Sequence, residues 1–156
     1  MILINDDLVI RDYVAADCQT LSAIIRENLI HINSRDYCEE IIHNMYRTFT
    51  PDHISNLSKI REIYVAVKDT IIVGTASLDK DTIYTLFIDI NHHNKGIGRE
   101  FIHFIERIAV DSGVTTVKLP SSITAQGFYE KLGYEAIDIV DSAEYGRDII
   151  MIKILV

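Results

Sequence analysis

Apolar and polar residues alternate with two different periods along this chain. Leu8-Val9-Ile10-Arg11 reads as a short strand. Leu21, Ile24, Ile25 and Leu29 then recur at the spacing of one helical face. A polar stretch from His31 to Tyr37 interrupts that face, and Ile41, Ile42, Met45 and Tyr46 predict a second helix. Thr50-Pro51 has the form of an N-cap followed by proline at the first helical position. A short third helix is therefore expected through Leu57.

The period changes at Arg61. Ile63–Val67 and Ile71–Ala76 predict two strands joined by the polar turn Lys68-Asp69-Thr70, and a third strand is expected from Thr82 to Ile90. A glycine-bearing loop, His93 to Gly98, leads into a helix. Its buried face would carry Phe101, Ile102, Ile105, Ile108 and Ala109, with Glu100, His103, Glu106 and Arg107 outside. Ser112-Gly113 closes that helix. Val114–Leu119 predicts a strand, Ala125–Leu132 a short helix with Gly133 at C′, and Tyr134–Val140 and Ile149–Val156 two final strands. This order predicts a mixed α/β domain, antiparallel at first and then parallel across a βαβ crossover.

With 156 residues the chain has the length of one ordinary domain, about 70% of whose surface can be buried. Apolar residues at 48% and charged residues at 24% exclude a disordered chain. The net charge of −8 argues against a nucleic-acid backbone as the main partner. It suits amine-bearing substrates, and it also serves solubility. Cys18 and Cys38 form no CxxC pair, so a zinc ribbon or thioredoxin-type motif is excluded. No His/Asp/Glu cluster has ligand spacing, and no metal site is expected. No apolar run is long enough to span a membrane. The start, Met1 to Asp7, lacks the marks of a signal peptide, so a cytoplasmic address is expected.

The segment His93-Asn94-Lys95-Gly96-Ile97-Gly98-Arg99 holds the clearest chemistry. It lies between a strand and a helix, where unpaired N–H groups attract anions. Gly96 and Gly98 let backbone approach a phosphate, and Lys95 and Arg99 add positive charge. Alternatively the glycines solve only the steric problem of a strand-to-helix turn. A Walker loop is excluded, and a dinucleotide fingerprint fails because Phe101 stands where GxGxxG requires glycine. The second segment runs Ser122-Ile123-Thr124-Ala125-Gln126-Gly127-Phe128-Tyr129-Glu130-Lys131-Leu132-Gly133-Tyr134. By itself it reads as a helix with Phe128 and Leu132 in the core.

Together these two segments resemble the GNAT superfamily of acetyl-CoA-dependent N-acyltransferases. Gly96 and Gly98 match the family's loop of the form Gln/Arg-x-x-Gly-x-Gly/Ala. Ser122, Ala125, Phe128, Tyr129, Lys131, Gly133 and Tyr134 match its second motif. The tight resemblance runs from about Ile63 to Ala136. It implies a single N-acetyltransferase domain over residues 1–156, with a mixed, mostly antiparallel central sheet flanked by helices.

The resemblance implies acetyl-CoA as cosubstrate, with no metal. It assigns His93, Asn94, Lys95, Gly96, Ile97, Gly98 and Arg99 to the loop that cradles the pyrophosphate. It lays the pantetheine arm against the backbone of Leu86, Phe87 and Ile88, and puts the gripping side chain of the second motif at Ser122. The tyrosine that protonates the departing thiolate falls on Tyr129, for which the alternative is an aromatic anchor beside the cofactor. His93 and Asn94 depart from the commonest residues at their positions; asparagine tolerates positive φ. The carboxylate bases frequent in the family have no counterpart in Thr82-Ile83-Tyr84 or Val117-Lys118, and Tyr84 and Asp89 are the nearest polar candidates.

Tyr37, Glu39 and Glu40 lie where the family builds its acceptor pocket; the two glutamates equally suit a solvated helix start. The expected activity is acetyl transfer to a primary amine of a small molecule or protein, with no nucleic-acid or membrane partner. A homodimer is compatible with the resemblance. The alternatives are a non-catalytic acyl-CoA-binding sensor and a nucleotide-binding domain using the same loop.

Overall fold

The computed structural model describes residues 2–3 and 7–155, with the backbone alone at 2 and 3. Strands β1 (Ile2–Leu3) and β2 (Leu8–Asp12) come first, then helices α1 (Cys18–His31), α2 (Glu39–Thr48) and α3 (Pro51–Leu57). A meander follows, β3 (Glu62–Lys68), β4 (Ile71–Asp79) and β5 (Thr82–Ile88). Helix α4 (Ile97–Asp111), strand β6 (Thr116–Ser122), helix α5 (Gln126–Lys131) and the hairpin β7 (Glu135–Ser142) and β8 (Gly146–Ile154) complete the chain. Single 3-10 turns lie at Ala15–Asp17, Asn33–Arg35 and Ile90–His92.

The eight strands form one sheet in the order β1-β2-β3-β4-β5-β6-β8-β7. Every neighbouring pair is antiparallel except β5 with β6, whose crossover is α4. This is the expected mixed α/β sheet. Among the described residues no helix is long and apolar enough to cross a membrane. Met1 and Ile4–Asp6 of the segment read for a leader lie outside the described residues, as does Val156 of the expected last strand.

Strand alternation divides the core between the two faces of the sheet. On β3, Tyr64 and Ala66 join Phe101, Ile102 and Ile105 of α4. Ile63 and Val65 point the other way, to Leu21, Ile25 and Leu29 of α1, with Ile42 of α2 and Ile54 of α3. Each such aliphatic or aromatic side chain contributes about 1.5–3 kcal/mol on full burial. Helix α3 starts as expected, with the Thr50 hydroxyl accepting from the His53 N–H at 3.1 Å and Pro51 in the first turn.

Strand β6 runs on to Ser122 and β8 starts at Gly146, both beyond the expected bounds, and three further details differ from the sequence reading. Strand β5 ends at Ile88 instead of Ile90, because the Asp89 side chain accepts from the Asn91 N–H at 3.2 Å and starts the Ile90–His92 turn. Strand β1 was not anticipated, since two residues carry no readable period. Glu106, expected outside α4, is 8% exposed. Its carboxylate accepts from the Tyr134 hydroxyl at 2.7 Å and pairs with Lys153 at 3.1 Å, so long-range partners compensate its burial.

Arg11 and Asp17 tie β2 to the start of α1 through two hydrogen bonds of 2.8 and 2.9 Å. Asp17 also accepts from the Val14 N–H at 2.9 Å. Hydrogen bonding from Arg11 holds the Asp17 carboxyl below the usual carboxylate range. The ionised form therefore stabilises the fold above that range, and the contribution is lost as pH falls through the lowered value. Asp17→Ala is expected to cost about 2–3 kcal/mol at neutral pH, because it strands a partly buried guanidinium. Urea midpoints should separate wild type and variant at neutral pH and converge in acid.

Candidate active site

The parallel strands β5 and β6 share a single register pair, Thr82 with Lys118. Beyond it β5 is bulged. Thr75 faces Phe87 while Ser77 faces Tyr84, so Thr85 and Leu86 together oppose one residue of β4. Thr85 adopts φ 56°, a left-handed conformation that a bulge accommodates. Past Thr82 β5 keeps its ladder to β4 and has no register pair with β6, which leaves a gap between their C-terminal halves.

Leu86, Phe87 and Ile88 form one wall of this gap. The Asp89 N–H donates to the Val73 carbonyl at 2.7 Å, so alternation turns the N–H and C=O of Ile88 away from β4. The Ile88 carbonyl is already engaged. Asn28 of α1 donates to it through Nδ2 at 2.8 Å, and His93 donates through Nε2 at 2.8 Å. Asn28 is buried and also donates to the Ile24 carbonyl at 2.9 Å. The His93 side chain thus turns back onto β5 and fastens the loop to the strand.

Asn94 has φ 62° and Gly96, the N-cap of α4, has φ 80°. This left-handed pair reverses the chain just ahead of the helix. The first helical bond runs from the Glu100 N–H to the Gly96 carbonyl at 3.1 Å. The N–H groups of Ile97, Gly98 and Arg99 precede it at the helix mouth, where an anion is favoured. Ile97 is anchored in the core, and Lys95 and Arg99 are exposed beside the mouth. A Cβ on Gly98 would stand 3.1 Å from Cζ of Phe128, so the second motif packs directly on the loop.

Ser122 ends β6, and its hydroxyl accepts from the Ala125 N–H at 3.1 Å. Tyr129 lies buried on α5, edge-on to Phe128 and Tyr134 with ring centroids 5.1 and 5.8 Å away. Burial pushes its phenol up from the usual value. Both polar candidates for a base have other partners. Tyr84 lies under the Arg61 guanidinium at 4.4 Å, and Asp89 pairs with His92 at 2.9 Å. Glu39 and Glu40 are exposed at the start of α2.

On the sheet face opposite α4, the Tyr37 hydroxyl accepts from the Ile123 N–H at 2.8 Å and donates to the Arg147 carbonyl at 2.7 Å. It joins the segment before α2 to the end of β6 and the start of β8. Burial and the neighbouring Asp148 push the Tyr37 phenol up. Asn28 and Asp148 did not stand out in the sequence. Asn28 had a readable signal, a polar residue on the apolar stripe of α1, whereas Asp148 had none.

Residues 33–155 match the model of the acetyltransferase (GNAT) domain. The chain belongs to the GNAT acetyltransferase family. Several solved structures share the fold. A GCN5-related N-acetyltransferase from Rhodopseudomonas palustris superposes with a TM-score of 0.90 at 21% identity, over 99% of each chain. PaiA N-acetyltransferase from Thermoplasma acidophilum, in complex with coenzyme A, gives 0.79 at 22% identity, over 95% of this chain and 99% of that one. YncA from Salmonella typhimurium, with acetyl-CoA as its cofactor, gives 0.64 at 16% identity, over 96% of this chain and 94% of that one. At these identities the likeness is one of fold. Comparison with curated protein sequences gives no match.

This GNAT acetyltransferase brings its two motifs together across the Gly98–Phe128 contact. Gly98→Val should push Phe128 away and weaken coenzyme A binding at least about tenfold, or ~1.4 kcal/mol. Calorimetric titration of Gly98→Val, Phe128→Ala and the double variant checks this. The double variant should bind more tightly than Gly98→Val alone.

Proposed function

We propose that this protein transfers the acetyl group of acetyl-CoA to a primary amine. The observation that carries the reading is the unpaired end of β5 beside the mouth of α4. Past Thr82 and Lys118 the two parallel strands share no register pair, the first-turn amides of α4 lie outside its helical ladder, and the buried Tyr129 packs on Phe128 of the second motif. The pyrophosphate binds the N–H groups of Ile97, Gly98 and Arg99, with Lys95 alongside. The pantetheine arm follows Leu86, Phe87 and Ile88, and Ser122 flanks it from β6.

The amine nitrogen attacks the thioester carbonyl, forming the C–N bond as the C–S bond breaks. The Ile88 N–H faces the gap and is suited to polarise the carbonyl. Its rigidity comes from Asn28 and His93, which hold the same residue by its C=O. The amine's proton leaves through water, since Asp89 is paired with His92 and Tyr84 is a phenol rather than a carboxylate base. Tyr129 remains protonated well above neutral pH because burial raises its phenol. It donates a hydrogen bond to the departing sulfur. Proton delivery follows because the same dry surroundings raise the thiol's affinity for a proton.

Saturating acetyl-CoA, at about a hundred times its dissociation constant, should add about 2.7 kcal/mol of stability. Thermal melts should rise with acetyl-CoA and with free CoA but not with NAD. Tyr129→Phe should lower kcat toward a primary amine by about 10²-fold with little change in cofactor affinity. Retained turnover in that variant would remove Tyr129 from the mechanism. Tight acetyl-CoA binding without transfer to any amine would instead favour a cofactor-sensing module.

A further inference from the structure

Asp148 is a half-buried carboxylate for which, among the described residues, no hydrogen bond or ion pair is found. Burial pushes its carboxyl above the usual range. Its place in the fold is specific. Asp148 pairs across the ladder with Ser122, four residues along β6 from Lys118, the last point at which β6 meets β5. It therefore stands level with the open part of the gap, one strand beyond it, a lateral step of about 5 Å. Alternation puts it on the face away from Ile149 and Met151, which pack in the α4 core.

That face is covered over β3–β5 by α1, α2 and α3. Over β6 and β8 its floor of Pro120, Ser122, Asp148 and Ile150 stays half-buried. Tyr37 stands at its edge, with both hydrogen-bonding roles of its hydroxyl occupied by backbone. The nearby cation does not serve Asp148. Arg147 projects to the opposite face and pairs with Asp141 at 2.8 Å. Lys118 shares the face of Asp148 but lies at the closed end of the gap, about 13 Å down the strand. A carboxylate left this way destabilises the fold, and a bound ammonium offsets that cost.

We propose that Asp148 binds a second cationic group of the acceptor while the acceptor's other amine enters the gap between β5 and β6. The preferred acceptors are then short diamines, or molecules presenting two amines at similar separation. The inference rests on the acetyl-transfer reading, because the gap supplies the first amine's destination. It also gives the acidic composition a local use at one residue.

The test compares diaminobutane with butylamine, its counterpart lacking the second charge. Binding is measured by calorimetry with free CoA present, and acetylation is measured separately with acetyl-CoA. Wild type should bind the diamine at least about tenfold more tightly than the monoamine. Asp148→Asn should bring diaminobutane down to the affinity of butylamine and so erase that preference. Asp141→Asn removes a carboxylate from the same hairpin and should keep the preference. Asp148→Asn should melt no lower than wild type, since it removes an unpartnered charge, so a folding defect is read directly. Equal affinity for the two amines in wild type, or a preference that survives Asp148→Asn, would overturn the proposal. Diamine binding through Asp148 with no acetylated product would sink the transfer reading and leave the cation site standing.

Discussion

A parallel strand pair that begins and then fails to continue governs the rest of this molecule. β5 and β6 meet at Thr82 and Lys118 alone, and β5 is bulged against β4 at Thr85–Leu86 further along. Backbone polar groups stripped of a partner strand are costly unless something else satisfies them. The protein meets that demand in part with its own side chains, Asn28 and His93 on the Ile88 carbonyl. The remaining unpaired edge suits an extended, amide-bearing ligand, which is the place proposed for the pantetheine arm.

The second demand comes from α4. Its apolar stripe packs on one face of the sheet and fixes the helix axis, so its N-terminus opens beside the C-terminal end of β5. The loop between them is short and needs a left-handed reversal at Asn94 and Gly96. Core packing thereby directs the free amides of the first turn. Phe128 presses on Gly98 from α5, which brings Tyr129 into the same assembly. In the proposed reading stability and cofactor binding share these contacts, so a substitution at Gly98 or Phe128 acts on both.

Much of this was legible in the chain. The stripe on α1, the Thr50-Pro51 start of α3, the meander, the loop glycines and the Phe128-Tyr129 segment all carry local periods or turn chemistry that survive into the fold. Where the reading failed, the reason was a distant partner. Glu106 looks like an outward residue on a helical wheel, yet Tyr134 and Lys153 make its burial affordable. The third strand looked longer than it is because the Asp89 cap competes with the ladder.

The sequence by itself determined the main helices and strands, their order, the glycine loop and the family, because each rests on residues close together in the chain. Its family resemblance singled out His93 and Ser122 as site candidates, but not what their side chains do. The tertiary structure alone decided that His93 turns back to hold Ile88 and that Asn28 reaches the same carbonyl from α1. It alone set Asp148 beside Ser122 and Tyr37. These relations depend on strand register and on which face of the sheet a helix covers, and both are settled only when the whole core packs at once.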